Sequence, residues 1–199
     1  MYLNIQRGIA LTSPRFTMWP QYIVTAFEKI SPEADEYVFY GPWNSVLNHC
    51  FLINEGYVIC PHLPIAQVHA GTRDTVDFVV TLSAMKNEAT IFFVEVKAPK
   101  YLGNTYARAA ANEQMRLRFY QSVRSSPSKM HGISAFGTDV CFYELEKENP
   151  IISLPPPAAE YSRVIVVDVA PENWWNLNVL DQEGYDKFTE VVEEAKVSS

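Results

Sequence analysis

The sequence predicts an α/β fold, a single domain with a central mixed β-sheet flanked by helices. Two runs rich in Val, Phe, Ile and Thr, residues 75–82 and 90–97, are typical of buried strands. A helical pattern rich in Ala, Arg, Gln and Met follows over residues 106–125. Two further strands are predicted at residues 133–136 and 139–146. Because a strand pair, a helix and a second strand pair follow one another, helices should cover a mixed sheet.

The N-terminal part predicts helices. Apolar residues at helical spacing over residues 20–30 indicate a first helix that ends before Pro32. A second helical segment is expected over residues 32–51, with acidic residues in its first turn. The Gly41-Pro42 pair is expected to break this segment into two pieces.

The other elements are predicted from turn residues and hydrophobic pattern. Residues 83–89 are short and polar, so they should connect the strands of an antiparallel hairpin. The remaining predictions are short strands at residues 56–60 and 65–70, a Pro-rich loop at residues 149–158, a strand at residues 161–169 and helices at residues 171–180 and 182–196.

Length and composition indicate one intracellular domain. The chain has 199 residues with 48% hydrophobic content, enough for one substantial core. We expect a single domain over residues 1–199, with the core at about 20–170 and C-terminal helices at 171–197. No apolar run approaches the roughly 20 residues needed to cross a bilayer. With three cysteines and no secretory signal, the expected location is the nucleus or the cytoplasm, with no membrane partner.

Three residues of catalytic type lie in the first strand pair: Asp77, Glu95 and Lys97. Side chains alternate along a strand, so Glu95 and Lys97 must point to the same face. If Asp77 faces that side too, two carboxylates converge beside one ammonium group. Close carboxylates repel unless a cation lies between them, and hard oxygen ligands suit Mg²⁺ or Mn²⁺. The pattern therefore predicts a metal site with Asp77 and Glu95 as ligands.

The order Asp77, Glu95-Val96-Lys97 and then a helix resembles the PD-(D/E)XK nuclease superfamily, which has the restriction-endonuclease-like fold. The resemblance covers about residues 72–142, and Val76 stands where the family motif often has proline. It implies that Asp77 and Glu95 bind the metal ion and that Lys97 positions or activates the attacking water. It also implies that Gln114, in the middle of the following helix, orients substrate or water.

The charge distribution favours a phosphate-binding flank after the predicted metal site. The formal net charge is -7, which argues against a generic polyanion binder. However, residues 97–131 contain seven Lys and Arg side chains against one acid, Glu113. From this stretch we predict four substrate-binding residues: Lys100, Arg108, Arg116 and Arg118.

Other polar residues leave alternatives open. Proteins of the superfamily often have an additional glutamate on a helix before the sheet, and either Glu28 or Glu36 could correspond to it. Asp168, at the end of a predicted strand, is a spare acidic candidate. A zinc site is not indicated by the five Cys and His residues between positions 49 and 69, because they form no Cys-x-x-Cys or His-x-x-x-His pair.

These observations predict a metal-dependent nuclease that acts on nucleic acid, DNA in preference to RNA, with Mg²⁺ or Mn²⁺ as cofactor. The alternative is a catalytically inactive nuclease-like protein that serves as a binding or protein-interaction module. Four tryptophans expected at the surface leave room for that alternative: Trp19, Trp43, Trp174 and Trp175. A homodimer is left open.

Overall fold

A mixed β-sheet lies between two layers of helices, so the predicted α/β class is confirmed. The structure is a computed structural model, and it describes residues 18–62, 81–123, 127–148, 152–153 and 168–199. The strands are β1 (Val58–His62), β2 (Thr81–Lys86), β3 (Ala89–Lys97), β4 (Lys129–Phe136), β5 (Asp139–Glu146), β6 (Ile152–Ser153) and β7 (Leu177–Asn178).

The order of neighbouring strands in the sheet is β1-β2-β3-β4-β5-β6, and β7 also pairs with β5. All of these pairs are antiparallel except β3 with β4, which run parallel. Parallel neighbours need a crossover connection, and the helix between β3 and β4 is part of it. This helix packs against both strands.

The β2–β3 hairpin is confirmed, but its turn is shorter than predicted. β2 continues through Lys86, and only Asn87 and Glu88 separate it from β3. Both turn residues have positive φ, 51° and 65°. This conformation matches a two-residue type I′ turn, whose twist fits the twist of paired strands. The prediction of a loop over residues 83–89 was therefore wrong for residues 83–86, which belong to β2, and for Ala89, which begins β3.

The α-helices are α1 (Gln21–Glu28), α2 (Tyr40–Cys50), α3 (Thr105–Ser122) and α4 (Gln182–Val197). The predicted helices at residues 20–30, 106–125 and 182–196 are confirmed with small shifts of their ends.

Two helix predictions were wrong in the segment before β1. Gly41 and Pro42 do not break a helix, because they lie in the first turn of α2. A proline there has no backbone N–H to leave unpaired, so the helix tolerates it. The helix expected from Pro32 onward is instead a turn followed by a short 3₁₀ helix, Glu36–Phe39.

The predicted helix at residues 171–180 was also wrong. The chain forms a 3₁₀ helix, Glu172–Trp175, and then the short strand β7. Trp175 Nε1 donates a hydrogen bond to the Ser134 carbonyl at 3.1 Å. Tertiary contacts of this kind override the weak helix propensity of the segment.

Side chains of β3 alternate between two apolar layers. Phe92, Val94 and Val96 pack into a cluster that includes buried residues of α1, α2 and α4. Phe93 points the other way and packs with Phe119 of α3. We call these two sides of the sheet the α4 face and the α3 face.

The four tryptophans expected at the surface are buried, so that prediction was wrong. Trp19 Nε1 donates to the Val179 carbonyl at 2.8 Å, and Trp43 Nε1 donates to the Gly137 carbonyl at 2.9 Å. Trp174 and Trp175 are likewise part of the apolar cluster on the α3 face. Each indole therefore contributes to the core, where a polar N–H needs a partner.

Several predictions fall wholly or mostly outside the described residues: Asp77, and the strands at residues 65–70, 75–82 and 161–169. Most of the predicted Pro-rich loop at residues 149–158 is outside them too, but Ile152 and Ser153 form the edge strand β6, so the loop prediction was wrong for these two residues. Among the helices that the structure describes, none has the length and apolar character needed to cross a bilayer.

Candidate functional site

Glu95 and Lys97 lie near the end of β3 and share the α3 face with Phe93. In the sheet, Glu95 is flanked by Thr81 of β2 and Ser134 of β4. Its side chain is only 2% exposed, whereas Lys97 at the strand end is partly exposed. The sheet therefore buries the acid and leaves the neighbouring amine within reach of solvent.

Burial controls the ionisation of Glu95. Loss of solvent raises the pKa of its carboxyl to about 7, although the positive charges of Lys97 and Arg118 lower it in part. Glu36 adds a smaller effect in the opposite direction, since its negative charge raises the same pKa. At neutral pH the carboxyl is therefore near the midpoint of its titration.

Two oxygen atoms on the α3 face have no hydrogen-bond partner among the described residues, Glu95 Oε1 and Gln114 Oε1. Buried polar atoms nearly always have a partner in folded proteins. When Glu95 is ionised, both of these oxygens are acceptors, so neither can satisfy the other. A donor or a cation brought to this face would satisfy them.

Local sequence explains why α3 covers this part of the sheet. Asn104 caps the helix, accepting hydrogen bonds from the backbone N–H groups of Tyr106 and Ala107 at 2.9 and 3.1 Å. Gln114 and Arg118 are one helical turn apart and therefore lie on the same side of α3. The electrostatic effect of Arg118 on Glu95 indicates that this side faces the strand end.

Of the two upstream glutamates, Glu36 is the one whose charge acts on Glu95. It starts the 3₁₀ helix before α2, and Tyr40 donates a hydrogen bond to its carboxylate at 3.0 Å. The segment before it is held by Lys100, whose Nζ lies 2.7 Å from Asp35 Oδ1. Sequence alone left Glu28 and Glu36 equivalent, because it does not show which helix end approaches the sheet.

The four predicted substrate-binding residues differ in their surroundings. Lys100 is exposed and paired with Asp35. Arg108 is 3% exposed and donates to the carbonyls of Leu102 and Ala170 at 2.7 and 2.8 Å. It also forms an ion pair with Asp168.

Through these contacts the Arg108 guanidinium connects Asp168 and Ala170 to α3. Asp168 is therefore paired with a positive charge. Arg116 and Arg118 are partly exposed on α3. Arg118 is the member of the predicted set whose charge acts on Glu95, whereas the charge of Arg116 acts on Tyr143 of β5.

A second polar cluster lies on the α4 face, and sequence analysis missed it. His131, Glu144 and Glu194 each offer one ligand atom, and these atoms lie within 4.8 Å of one another. Lys129 also contacts it, with Nζ 2.9 Å from Glu144 Oε2. A partial signal existed, because a two-residue turn at Gly137-Thr138 places His131 opposite Glu144. Nothing in the sequence linked Glu194 to that pair.

Around Glu95, the α3 face therefore combines a buried carboxyl, the ammonium group of Lys97, a glutamine oxygen and the guanidinium group of Arg118. Such a set can bind a hard divalent cation and a phosphate group. Comparison of the chain with protein-family models, with curated proteins and with solved structures found no match.

Proposed function

We propose that the chain is a metal-dependent nuclease that hydrolyses phosphodiester bonds of nucleic acid, DNA in preference to RNA. The observation that carries this proposal is the state of Glu95. Its carboxyl is buried in an apolar strand, has a pKa raised to about 7 and has an oxygen without a partner among the described residues. A carboxylate in this position gains most from a nearby cation.

The donor set fits Mg²⁺ or Mn²⁺. Glu95 supplies one carboxylate, and the resemblance to the PD-(D/E)XK superfamily supplies a second, Asp77, which lies outside the described residues. Hard, small cations bind few carboxylates and keep several water ligands, as this number of oxygen donors requires. When bound, the ion would supply positive charge to stabilise the anionic transition state and lower the pKa of attacking water.

The remaining residues have distinct roles in the proposal. Lys97 lies two residues beyond Glu95 on the same face, so its ammonium group can orient the attacking water or neutralise charge on the phosphate. Gln114 has a buried oxygen that can accept a hydrogen bond from that water. Arg116 and Arg118 would attract the phosphate backbone to α3.

Glu36 is the upstream acid that fits the proposal. Burial is the main reason that the ionised form of Glu95 is disfavoured, and the negative charge of Glu36 adds to it, so a cation near both carboxylates would relieve the two effects together. A nuclease of this kind would act in the nucleus or the cytoplasm, as a monomer or a homodimer. Imaging of a fluorescently tagged chain would test the location.

The test is a cleavage assay with plasmid DNA, single-stranded DNA and RNA in the presence of Mg²⁺ or Mn²⁺. Glu95→Gln keeps the shape of the side chain but removes its charge, and Lys97→Ala removes the ammonium group. We expect each to lower the cleavage rate by a factor of about 100 or more. Glu113→Gln is the matched control, because Glu113 is exposed on the same helix as Gln114.

Two results would contradict the proposal. Cleavage that persists in Glu95→Gln and Lys97→Ala would show that a contaminating enzyme is responsible. Binding of nucleic acid without any cleavage by the original chain would support the alternative, a nuclease-like binding module.

A further inference from the structure

We propose that His131, Glu144 and Glu194 form a second cation site, on the α4 face of the sheet, which binds Zn²⁺. The site is separate from the proposed nuclease centre, because His131 points away from the face that contains Glu95. Along β4, Ile133 belongs to the α4 cluster and Met130 to the α3 cluster. By alternation His131 lies on the same side as Ile133.

Three elements bring the side chains together. The β4–β5 hairpin pairs His131 with Glu144, and α4 places Glu194 above them. An imidazole binds an ion through one nitrogen, and the Nε2 atom of His131 lies 3.8 Å from Glu194 Oε2. One ligand atom from each of the three residues lies within 4.8 Å of the other two. Ligand atoms around a tetrahedral zinc ion, with bonds of about 2.0 to 2.2 Å, are about 3.4 Å apart. Small side-chain movements would therefore complete the coordination.

The imidazole provides independent evidence for a ligand. His131 is 1% exposed, and its Nε2 atom has no hydrogen-bond partner among the described residues. A buried nitrogen of this kind needs an explanation, and a bound cation is one. Burial also lowers the pKa of His131, which favours the neutral imidazole that a metal ion requires.

The site is reached from solvent. His131, Glu144 and Glu194 line a cleft of about 340 Å³ together with Trp174 and Asn176. An ion with three protein ligands and an open side can keep a water molecule as its fourth ligand. Three protein ligands and an open fourth position are typical of accessible zinc sites rather than closed structural ones, and imidazole and carboxylate are both zinc ligands.

Lys129 is a competitor for the same carboxylates. Its Nζ atom lies 2.9 Å from Glu144 Oε2 and 3.8 Å from Glu194 Oε2. Lys187 is a further positive charge that acts on His131. An entering Zn²⁺ ion must displace the Lys129 ammonium group, so this lysine should weaken zinc binding. If the cluster were only an ion-pair network that binds no metal, removing Lys129 would not strengthen zinc binding.

The test is isothermal titration of the full chain with Zn²⁺ in the Glu95→Gln background, which removes a ligand of the proposed nuclease centre. We expect one Zn²⁺ per chain. Glu194 is 42% exposed, so Glu194→Gln should fold normally, and it should weaken zinc binding by a factor of about ten or more. Lys129→Gln should strengthen binding. Glu183→Gln, which changes an exposed carboxylate in the first turn of α4, is the matched control and should leave zinc binding unchanged.

A second measurement distinguishes zinc binding at this site from zinc binding by cysteine thiolates. Burial raises the pKa of the Cys50 and Cys141 thiols to about 12, which disfavours the thiolate that binds metal. Co²⁺ bound in place of Zn²⁺ should therefore show visible absorption without a thiolate charge-transfer band. The proposal is overturned if no zinc binds, if the cobalt spectrum shows thiolate ligation, or if Glu194→Gln and Glu144→Gln bind zinc as tightly as the parent chain.

Discussion

Glu95 on one face of the sheet and His131 on the other are both buried, and burial shifts their pKa values in opposite directions. On the α3 face it raises the pKa of Glu95, and on the α4 face it lowers the pKa of His131. Both groups are thus driven toward their neutral forms. A neutral carboxyl must lose a proton before it binds a cation, whereas a neutral imidazole is ready to bind one. Loss of solvent alone therefore makes cation binding dependent on pH in different ranges on the two faces.

The largest expected effect concerns Arg108, a buried charge whose partners are in place. Arg108→Met should lower the free energy of unfolding by about 3 to 5 kcal/mol, because Asp168 and the carbonyls of Leu102 and Ala170 would lose the guanidinium group. Denaturant unfolding measures this loss. A loss below about 1 kcal/mol would show that these contacts are not important to the α3 face.

Glu95→Gln should instead raise the free energy of unfolding at neutral and higher pH. The raised pKa means that the folded chain binds more protons than the unfolded chain between about pH 4.5 and 7, so the Glu95 contribution to stability falls as pH rises through this window. The side chain of the glutamine variant does not ionise, so this variant does not lose stability as pH rises through the window. It should be more stable than the original chain by up to about 3 kcal/mol at pH 8 and nearly equal at pH 4.

Thermal and denaturant unfolding in the presence of a chelator would measure this difference. Glu183→Gln, an exposed carboxylate on α4, is the control and should show no such dependence on pH. If Glu95→Gln were less stable than the original chain at pH 8, the carboxylate would be part of a stabilising ion pair, and the contrast between the faces would fail.

The α4 face should show a smaller effect in the reverse direction. Because the pKa of His131 is lowered, the folded chain binds fewer protons than the unfolded chain, and the His131 contribution is lost as pH falls below about 6.5. His131→Gln should reduce this loss in unfolding experiments between pH 8 and 5. His49→Gln, an exposed histidine, is the control. If the free energy of unfolding fell as steeply with decreasing pH in His131→Gln as in the original chain, the lowered pKa of His131 would be contradicted.

The smallest predicted effect concerns the β2–β3 turn, which lies outside both faces. It tests whether a change in stability alone alters nucleic-acid cleavage or zinc binding. Glu88 in the β2–β3 turn has a φ of 65°, a conformation that glycine adopts without strain. Glu88→Gly should raise the free energy of unfolding by about 1 kcal/mol. It should leave nucleic-acid cleavage and zinc binding unchanged. A change in either activity would mean that the hairpin turn affects the sites.

Local patterns predicted much of the fold and one of the two polar clusters. Alternation along β3 placed Glu95 and Lys97 on one face, and the helical pattern after Pro99 predicted α3 to within a few residues of its ends. Composition did not show that Pro42 lies within the first turn of α2, since a proline breaks a helix only beyond that turn.

Long-range packing was out of reach of sequence patterns. The four tryptophans are buried in apolar clusters, and the indole N–H groups of Trp19, Trp43 and Trp175 donate to carbonyls distant in sequence. The contact between Glu194 and His131 depends on how α4 lies across the sheet, which no spacing encodes. In the same way, the sequence showed that Arg108 is basic, but not that Asp168 and the Ala170 carbonyl take up its donors.

The parallel pairing of β3 and β4 has a consequence for the order of folding. Each of the hairpins β2–β3 and β4–β5 closes across two residues, whereas the pairing between the hairpins must close a connection of more than thirty residues. Short closures lose less chain entropy and form sooner. We therefore expect the hairpins to form first and the surroundings of Glu95 to be completed last. Pulse-labelled hydrogen exchange during refolding should show early amide protection in the hairpins and delayed protection between β3 and β4.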